Sequence, residues 1–467
     1  MADDTVQRLG MDTATLTGAD RVVHDWIANH FGAAPLTFCR QMRWRTAWEA
    51  EVPVAGEVRT VLVRGSRGDA YTGPMTMRQE AGVHDIMERH GVPAPRVYGV
   101  IDEPLAIVME KIPGGINSEL IADPAARAKV REEFIEALVK LHAIPPGEFA
   151  AIGLPVGATP RESAFTLYKL SIDIVRDKLK YPVGFVEFAA RWLERNNPEG
   201  RERVGFVTGD AGQFMYDGDR LTGLIDFEVA YVGDPAAEFA GMRLRDTTEP
   251  LGDISALCDY YESLTGDRIS KALIEYHSAG FAATNSMLMW PLMFDPTPDL
   301  DYLSYLQFTI ATSRWGLSGM AEFAGIRPED PPAPVESPTA FPVAAPHVRR
   351  WIGAIDAADG TARYQLDAAA DMARYLDRVN RYGASVLAAD LEDARRLTGE
   401  AVTTREQADR AVDAWVRRAG PEQDGALIRH FHRWLWRQNF LLKGCGHQSY
   451  LTETSLQYIA PRAADRD

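Results

Sequence analysis

The chain has 467 residues, 46% of them apolar and 25% charged, and carries a net charge of -16. That length exceeds what one core can hold, because single cores stop growing near roughly 250–300 residues, so two or three folding units are expected. The acidity argues against general nucleic-acid binding, which needs a basic surface, and three scattered cysteines, Cys39, Cys258 and Cys445, offer no metal-binding spacing and read as inert thiols of a reducing compartment.

The acidic start, Met1-Ala2-Asp3-Asp4, lacks the apolar stretch of a secretory signal, so a cytoplasmic location is expected. Strand patterns follow at Leu36–Gln41, Thr46–Val54 and Val61–Val63, with a short turn at Ala55-Gly56-Glu57 between the last two. A small antiparallel sheet is the natural result. Met77–His90 carries Val83, Ile86, Met87 and His90 at helical spacing and ends at Gly91 and Pro93. Leu105–Met109 is a buried-type strand stopped by Pro113-Gly114-Gly115, and Ala125–His142 returns to helical spacing. From there to residue 320 the pattern is mainly helical. The apolar run Ala279–Phe294 is broken by Asn285, Ser286 and Pro291 and is shorter than the roughly 20 residues a membrane span needs, so no membrane association is expected.

Seven prolines, at 328, 331, 332, 334, 338, 342 and 346, exclude helix interiors and central strands and mark an extended linker. The expected organisation is an N-terminal lobe over 1–110, a helical lobe over 111–325, the linker over 326–347 and a helical domain over 348–467, with helical patterns at Asp367–Leu397 and Thr404–Phe440. After residue 346 there are 18 Lys and Arg against 17 Asp and Glu, which leaves 32 against 49 before it. The negative charge belongs to the first part, where it suits solubility or attraction of a cationic substrate. The last segment has no chemical motif; His430, His432 and His447 read as surface or core histidines.

The richest stretch for chemistry is Val207-Thr208-Gly209-Asp210-Ala211-Gly212-Gln213-Phe214, followed by Leu224-Ile225-Asp226-Phe227-Glu228 and Gly233-Asp234-Pro235. Acidic residues at these spacings, on strand, tight loop, strand and turn, suit a site where one carboxylate takes a proton from a hydroxyl while another holds magnesium. Asp234 reads as a cap on a helix begun by Pro235.

On these motifs, residues 36 to about 320 resemble the aminoglycoside phosphotransferase and choline kinase superfamily, whose fold is similar to that of protein kinases. The resemblance implies an α+β, two-lobed protein-kinase-like fold, with a small antiparallel N-lobe sheet and a mainly helical C-lobe, plus the C-terminal all-helical domain. It implies Asp210 as the catalytic carboxylate and Asp226 as the magnesium ligand. The loop between them is two residues shorter than the family pattern, so that Gln213 falls where the family has its second metal-binding Asn, and Thr208 stands in place of the family His. A Gln amide oxygen can ligate a hard cation, its longer arm offsetting the shorter loop.

The same resemblance places Arg64 as the cation on the nucleotide phosphates, Glu80 as its partner, Met109 at the hinge against the adenine ring, and Arg43 and Arg45, with Arg40, in the loop over the phosphates. ATP and magnesium are the implied cofactors. The implied activity is transfer of the γ-phosphate to a hydroxyl of a small metabolite or antibiotic-like acceptor; the alternative is a nucleotide-binding pseudokinase. A homo-oligomer is compatible with the sequence. The acceptor and the choice between ATP and GTP stay open.

Overall fold

In the computed structural model, residues 7–42, 45–66, 73–298, 300–339, 341–357 and 360–466 are described. The elements begin with β1 (Gln7–Gly10), α1 (Gly18–Phe31), β2 (Thr37–Met42), β3 (Ala47–Val54), β4 (Glu57–Gly65), α2 (Met77–Arg89), β5 (Val97–Asp102) and β6 (Leu105–Glu110). Helices α3 (Pro124–His142), α4 (Pro146–Ala151), α5 (Pro160–Lys178) and α6 (Gly184–Asn196) follow. Next come the short strands β7 (Gly205–Val207), β8 (Phe214–Asp217), β9 (Arg220–Leu224) and β10 (Tyr231–Gly233). The rest is helical: α7 (Ala237–Arg245), α8 (Ile254–Thr265), α9 (Lys271–Phe294), α10 (Tyr302–Phe323), α11 (Ala344–Gly353), α12 (Gly360–Thr398), α13 (Arg405–Arg418) and α14 (Asp424–Leu442). The chain divides into one unit of Met1–Thr166 with Arg201–Ile269 and another of Leu167–Gly200 with Ser270–Asp467, so the proline-rich stretch lies within the second.

In the first unit, six antiparallel strands form a sheet in the order β1-β2-β3-β4-β6-β5. Strand alternation decides which face each residue meets. Val61 and Val63 of β4, with Ala106 and Val108 of β6, pack into a core that includes Val23 and Ile27 of α1 and Trp48 of β3. The intervening Leu62, Ile107 and Met109 pack with Ala81 of α2 on the other face. Arg64 shares the parity of Leu62 and so meets α2. Two residues, Ala55 and Gly56, both at positive φ, turn β3 into β4, the geometry that matches the twist of a hairpin.

Helix α2 is opened by a reciprocal cap, in which Gln79 N–H donates to Thr76 Oγ1 and Thr76 N–H to Gln79 Oε1. Strand β5 interrupts its register beside Gly99, where an added Cβ would lie 2.8 Å from the Trp26 ring. Below the sheet, α3 packs on β7, β9 and α8, and β7 pairs antiparallel with β10. This frame carries both ends of the acidic motif.

In the second unit, α9 and α10 pack along their lengths, with Gly316 and Gly319 admitting the backbone near Ala279 and Ala283. The buried Arg437 of α14 donates to Asp390 and Asp393 of α12, each at 2.6 Å. The helical pattern expected over Thr404–Phe440 is two helices, because Gly420 and Pro421 break it between α13 and α14. His430 is buried and His432 pairs with Asp330 at 2.8 Å. No helix among the described residues is long and apolar enough to cross a membrane, and Cys39, Cys258 and Cys445 form no disulfide with one another.

Trp48 is the largest fully buried side chain of the first unit's core, and its Nε1–H donates to Asp20 Oδ1 at 2.6 Å. Trp48→Ala is expected to lower unfolding free energy by about 3–5 kcal/mol, checked by urea unfolding followed by circular dichroism. Trp48→Phe, which keeps most of the ring but removes the donor, is expected to cost less.

Candidate active site

The acidic motif is built by short strands that bring its two ends together. Gly209 sits at φ +77° where a Cβ would approach Val229 O to 2.5 Å, so only glycine fits between β7 and the Asp226 loop. Asp226 follows β9 at φ +62°, a left-handed conformation that costs a non-glycine residue on the order of 1–3 kcal/mol unless neighbours hold it. They do so: Arg64 Nη1 donates to its Oδ1 at 2.8 Å, and Gln213 Nε2 donates to its Oδ2 at 3.1 Å. The adjoining backbone is tied by Ile225 N–H to Gln213 O at 3.0 Å.

The same Gln213 nitrogen donates to Asp210 Oδ2 at 2.8 Å. One amide therefore bridges Asp210 and Asp226, with the nitrogen facing both because two carboxylates call for a donor. A half-turn of that amide exchanges the nitrogen for Oε1. Asp210 is further held by Arg245 of α7, whose Nε donates to Oδ1 at 3.2 Å and whose Nη2 pairs with Oδ2. Burial works against the Arg245 charge, but Asp210 and Glu249 outweigh it and raise its pKa.

Around Asp226 a second network closes. Arg64 forms an ion pair with Glu80 of α2 as well as with Asp226. Burial opposes the Arg64 charge, yet Glu80, Asp226 and Glu228 together raise its pKa, so it stays a cation at any ordinary pH. Arg45, placed by sequence over the phosphates, is instead buried and donates to Glu228 Oε2 at 2.9 Å, lying 4.0 Å from Asp226. Arg43 lies outside the described residues. Met109 is paired within the sheet, opposite Leu62 on one side and Val97 on the other, with its side chain buried.

Thr208, standing where a histidine was expected, donates both its N–H (2.7 Å) and its hydroxyl (2.6 Å) to the buried Glu238, which also meets His142 Nε2 at 3.2 Å. Asp234 accepts from Ala236 N–H at 3.0 Å and pairs with Arg201 at 2.7 and 2.8 Å, while Arg201 also holds Asp267. The helix begins at Ala237, two residues after Pro235, with Ala236 at its N-cap and no side-chain cap bond, so Asp234 holds the turn ahead of the helix and serves as a buried ion-pair partner instead of the cap expected from sequence.

Among the described residues, Asp210, Asp226, Glu80, Glu228 and Glu249 pair with Arg45, Arg64 and Arg245. The hard oxygen donors of Asp226, Asp210 and Gln213 fit a magnesium ion, which takes one or two protein carboxylates and completes its shell with phosphates and water. No group of three or more His, Cys, Asp or Glu among the described residues could by itself hold a metal. Arg245, Glu249 and the Arg45–Glu228 pair were not foreseen from the sequence. The only trace of the first two is their four-residue spacing, which puts them on one helical face.

His84 of α2 is buried with Nδ1 2.9 Å from Pro95 O and packs edge-on to Phe227 at 5.2 Å. Burial and then the nearby Arg64 charge lower its pKa to about 4.

Residues 53–270 match the family described as the phosphotransferase enzyme family. Among solved structures, the chain is similar to a Ralstonia eutropha JMP134 protein assigned to the aminoglycoside phosphotransferases, at 17% identity and a TM-score of 0.49, over 65% of this chain and 98% of that one. It is similar to the aminoglycoside phosphotransferase APH(4)-Ia, in a ternary complex with ADP and hygromycin B, at 14% identity and a TM-score of 0.44, over 65% and 98% of the two chains. It is also similar to the macrolide 2'-phosphotransferase MphH of Brachybacterium faecium, at 16% identity and a TM-score of 0.42, over 58% and 91%. No curated protein matches the sequence significantly.

Because the folded pKa of His84 lies below its unfolded value near 6.5, the unfolded chain binds the proton first as pH falls. Its contribution is therefore intact above about pH 6.5 and lost between there and about pH 4, by about 3 kcal/mol in all. Thermal melts at pH 7 and pH 5 are expected to show a smaller acid-induced loss for His84→Asn than for the native chain.

Proposed function

We propose that this chain, a member of the phosphotransferase enzyme family through its residues 53–270, is a magnesium-dependent kinase that transfers the γ-phosphate of ATP to a hydroxyl group of a small molecule. The observation that carries this reading is the single Gln213 amide bridging the Asp210 and Asp226 carboxylates, at 2.8 and 3.1 Å. Two carboxylates this close, one beside a family loop for the hydroxyl and one in the left-handed turn after β9, suit an in-line transfer between oxygens.

In this reading Asp210 orients the acceptor hydroxyl and takes its proton as the new oxygen–phosphorus bond forms and the bond to the diphosphate leaving group breaks. Arg245 holds the carboxylate through both of its oxygens, fixing the angle at which the hydroxyl is met. Asp226 and Gln213, after its amide turns, would hold magnesium. Bound there, the ion would neutralise charge on the phosphate oxygens. Arg64, kept in place by Glu80, is the cation this chain offers to the phosphates, and an Arg serves such a role by paired hydrogen bonds. Thr208 keeps β7 anchored to α7 through Glu238 and takes no part in the reaction.

The test is transfer of labelled γ-phosphate from ATP with magnesium to a panel of amino alcohols, sugars and antibiotics carrying hydroxyls. Native protein is expected to label at least one compound, and Asp210→Asn to lose roughly 100- to 10,000-fold of that rate while MgATP still raises its melting temperature. Nucleotide binding without transfer to any acceptor, or undiminished transfer by Asp210→Asn, would overturn the proposal.

A further inference from the structure

We propose that helix α11 of the second unit is a docking surface for a second copy of this chain, and that two copies pair through it antiparallel about a two-fold axis. This goes beyond the phosphotransfer reading and does not rest on it. The starting point is what α11 leaves uncovered, since none of its 10 residues is buried. Ala345, Arg349 and Ile352 are half-buried, on the side that packs against α12, while Ala344, Val348 and Trp351 are exposed.

The exposed apolar residues form a seam. Ala344, Val348, Trp351 and Ile355 follow one another at intervals of four, three and four, the spacing by which one helix offers a face to another. Ile355 lies just past the end of α11, and its N–H donates to Ile352 O at 3.1 Å, which carries the turn on to it. Trp351 is 70% exposed, Ile355 50% and Val348 42%, and Phe341 and Val343, just ahead of the first turn, are 79% and 67% exposed. Single apolar residues on a surface need no explanation, but a row of them marks a contact site.

The seam is complementary to itself. In an antiparallel pair each core layer joins two different positions, so Val348 of one copy meets Trp351 of the other, and Ala344 meets Ile355. Every smaller side chain then faces a larger one. Parallel pairing would set Trp351 against Trp351 and Ala344 against Ala344, crowding one layer and emptying the other. His347, Arg349 and Arg350 fall off the four-three-four spacing, so the antiparallel pair takes no guanidinium into its apolar layers.

The area is that of a weak, reversible dimer. At roughly 150–250 Å² for a whole aromatic side chain and roughly 60–120 Å² for a Val or Ile, the exposed fractions leave on the order of 450 Å² of apolar surface per copy. Two copies withdraw about 900 Å² from water before any polar rim is counted, against the roughly 1,000 Å² at which specific interfaces begin. An anionic bilayer is the poorer occupant, because the chain's net charge of -16 opposes its approach. An unrelated helix would have no reason to match the seam's own alternation of small and large residues.

The test is sedimentation velocity on the full chain at loading concentrations from roughly 1 to 200 μM, where a reversible monomer–dimer equilibrium is expected. Trp351→Asp and, separately, Val348→Asp should weaken the dimer about tenfold or more, because the two-fold axis places each new charge in the interface twice. Both variants should keep the native melting temperature at the lowest concentration, since the two sites are open in the monomer. Leu120→Asp, at an exposed residue of the first unit, should leave the dimer unchanged. Under mild oxidation, a mixture of Val348→Cys and Trp351→Cys proteins should cross-link more than either alone. A monomer throughout the range, a dimer that both Asp variants leave intact, or Trp351→Cys cross-linking to itself in preference to the mixture would each overturn the proposal. So would a monomer that binds phosphatidylglycerol vesicles and loses that binding in Trp351→Asp.

Discussion

The first unit's candidate site depends on one guanidinium shared by two carboxylates. Arg64, on the α2-facing side of β4, meets Glu80 from the helix and Asp226 from the turn after β9. A cation buried at the sheet face would be costly alone, and so would either acid. Held together they lock sheet, helix and motif loop into one arrangement, and they keep Asp226 in a backbone conformation it would otherwise avoid. The pleat of β4 makes this possible, since the same alternation that buries Val61 and Val63 on one face delivers Arg64 to the other.

Asp210 is fixed by a separate device. Arg245 reaches it from the last turn of α7, and the Gln213 amide links it to Asp226. The tight loop after Asp210 brings the Gln213 amide within hydrogen-bond reach of both acids. Thr208 and Glu238 do the equivalent for the strand that leads into the loop, giving β7 a polar anchor on α7.

Much of this was legible in the sequence. The hairpin of β3 and β4, helix α2 with its Gly91 stop, strand β6 and helix α3 follow from period and punctuation, and the acidic spacings mark the loop before any fold is known. The parts not legible share a cause: they depend on partners distant along the chain. Strand β5 hides behind Gly99, whose missing side chain makes room for the Trp26 ring. The narrow apolar stripe of α1, Val23 and Ile27, shows only once the sheet lies beneath it. Arg245 looks like any helix-ending arginine until Asp210 faces it, and Arg45 is drawn from the loop into the interior by Glu228. The gap between α13 and α14, by contrast, was written in Gly420 and Pro421.

The central claim is that Asp210, Gln213 and Asp226 form one nucleotide-handling centre. The most direct measurement is a crystal structure with a non-hydrolysable ATP analogue and manganese, with the ion located by its anomalous scattering. The account predicts an anomalous peak within about 2–2.3 Å of an Asp226 oxygen, as expected for a hard cation on carboxylate and phosphate oxygens, with the terminal phosphate facing Asp210. Nucleotide bound with no ion at Asp226, or with its phosphates remote from Asp210, would contradict it.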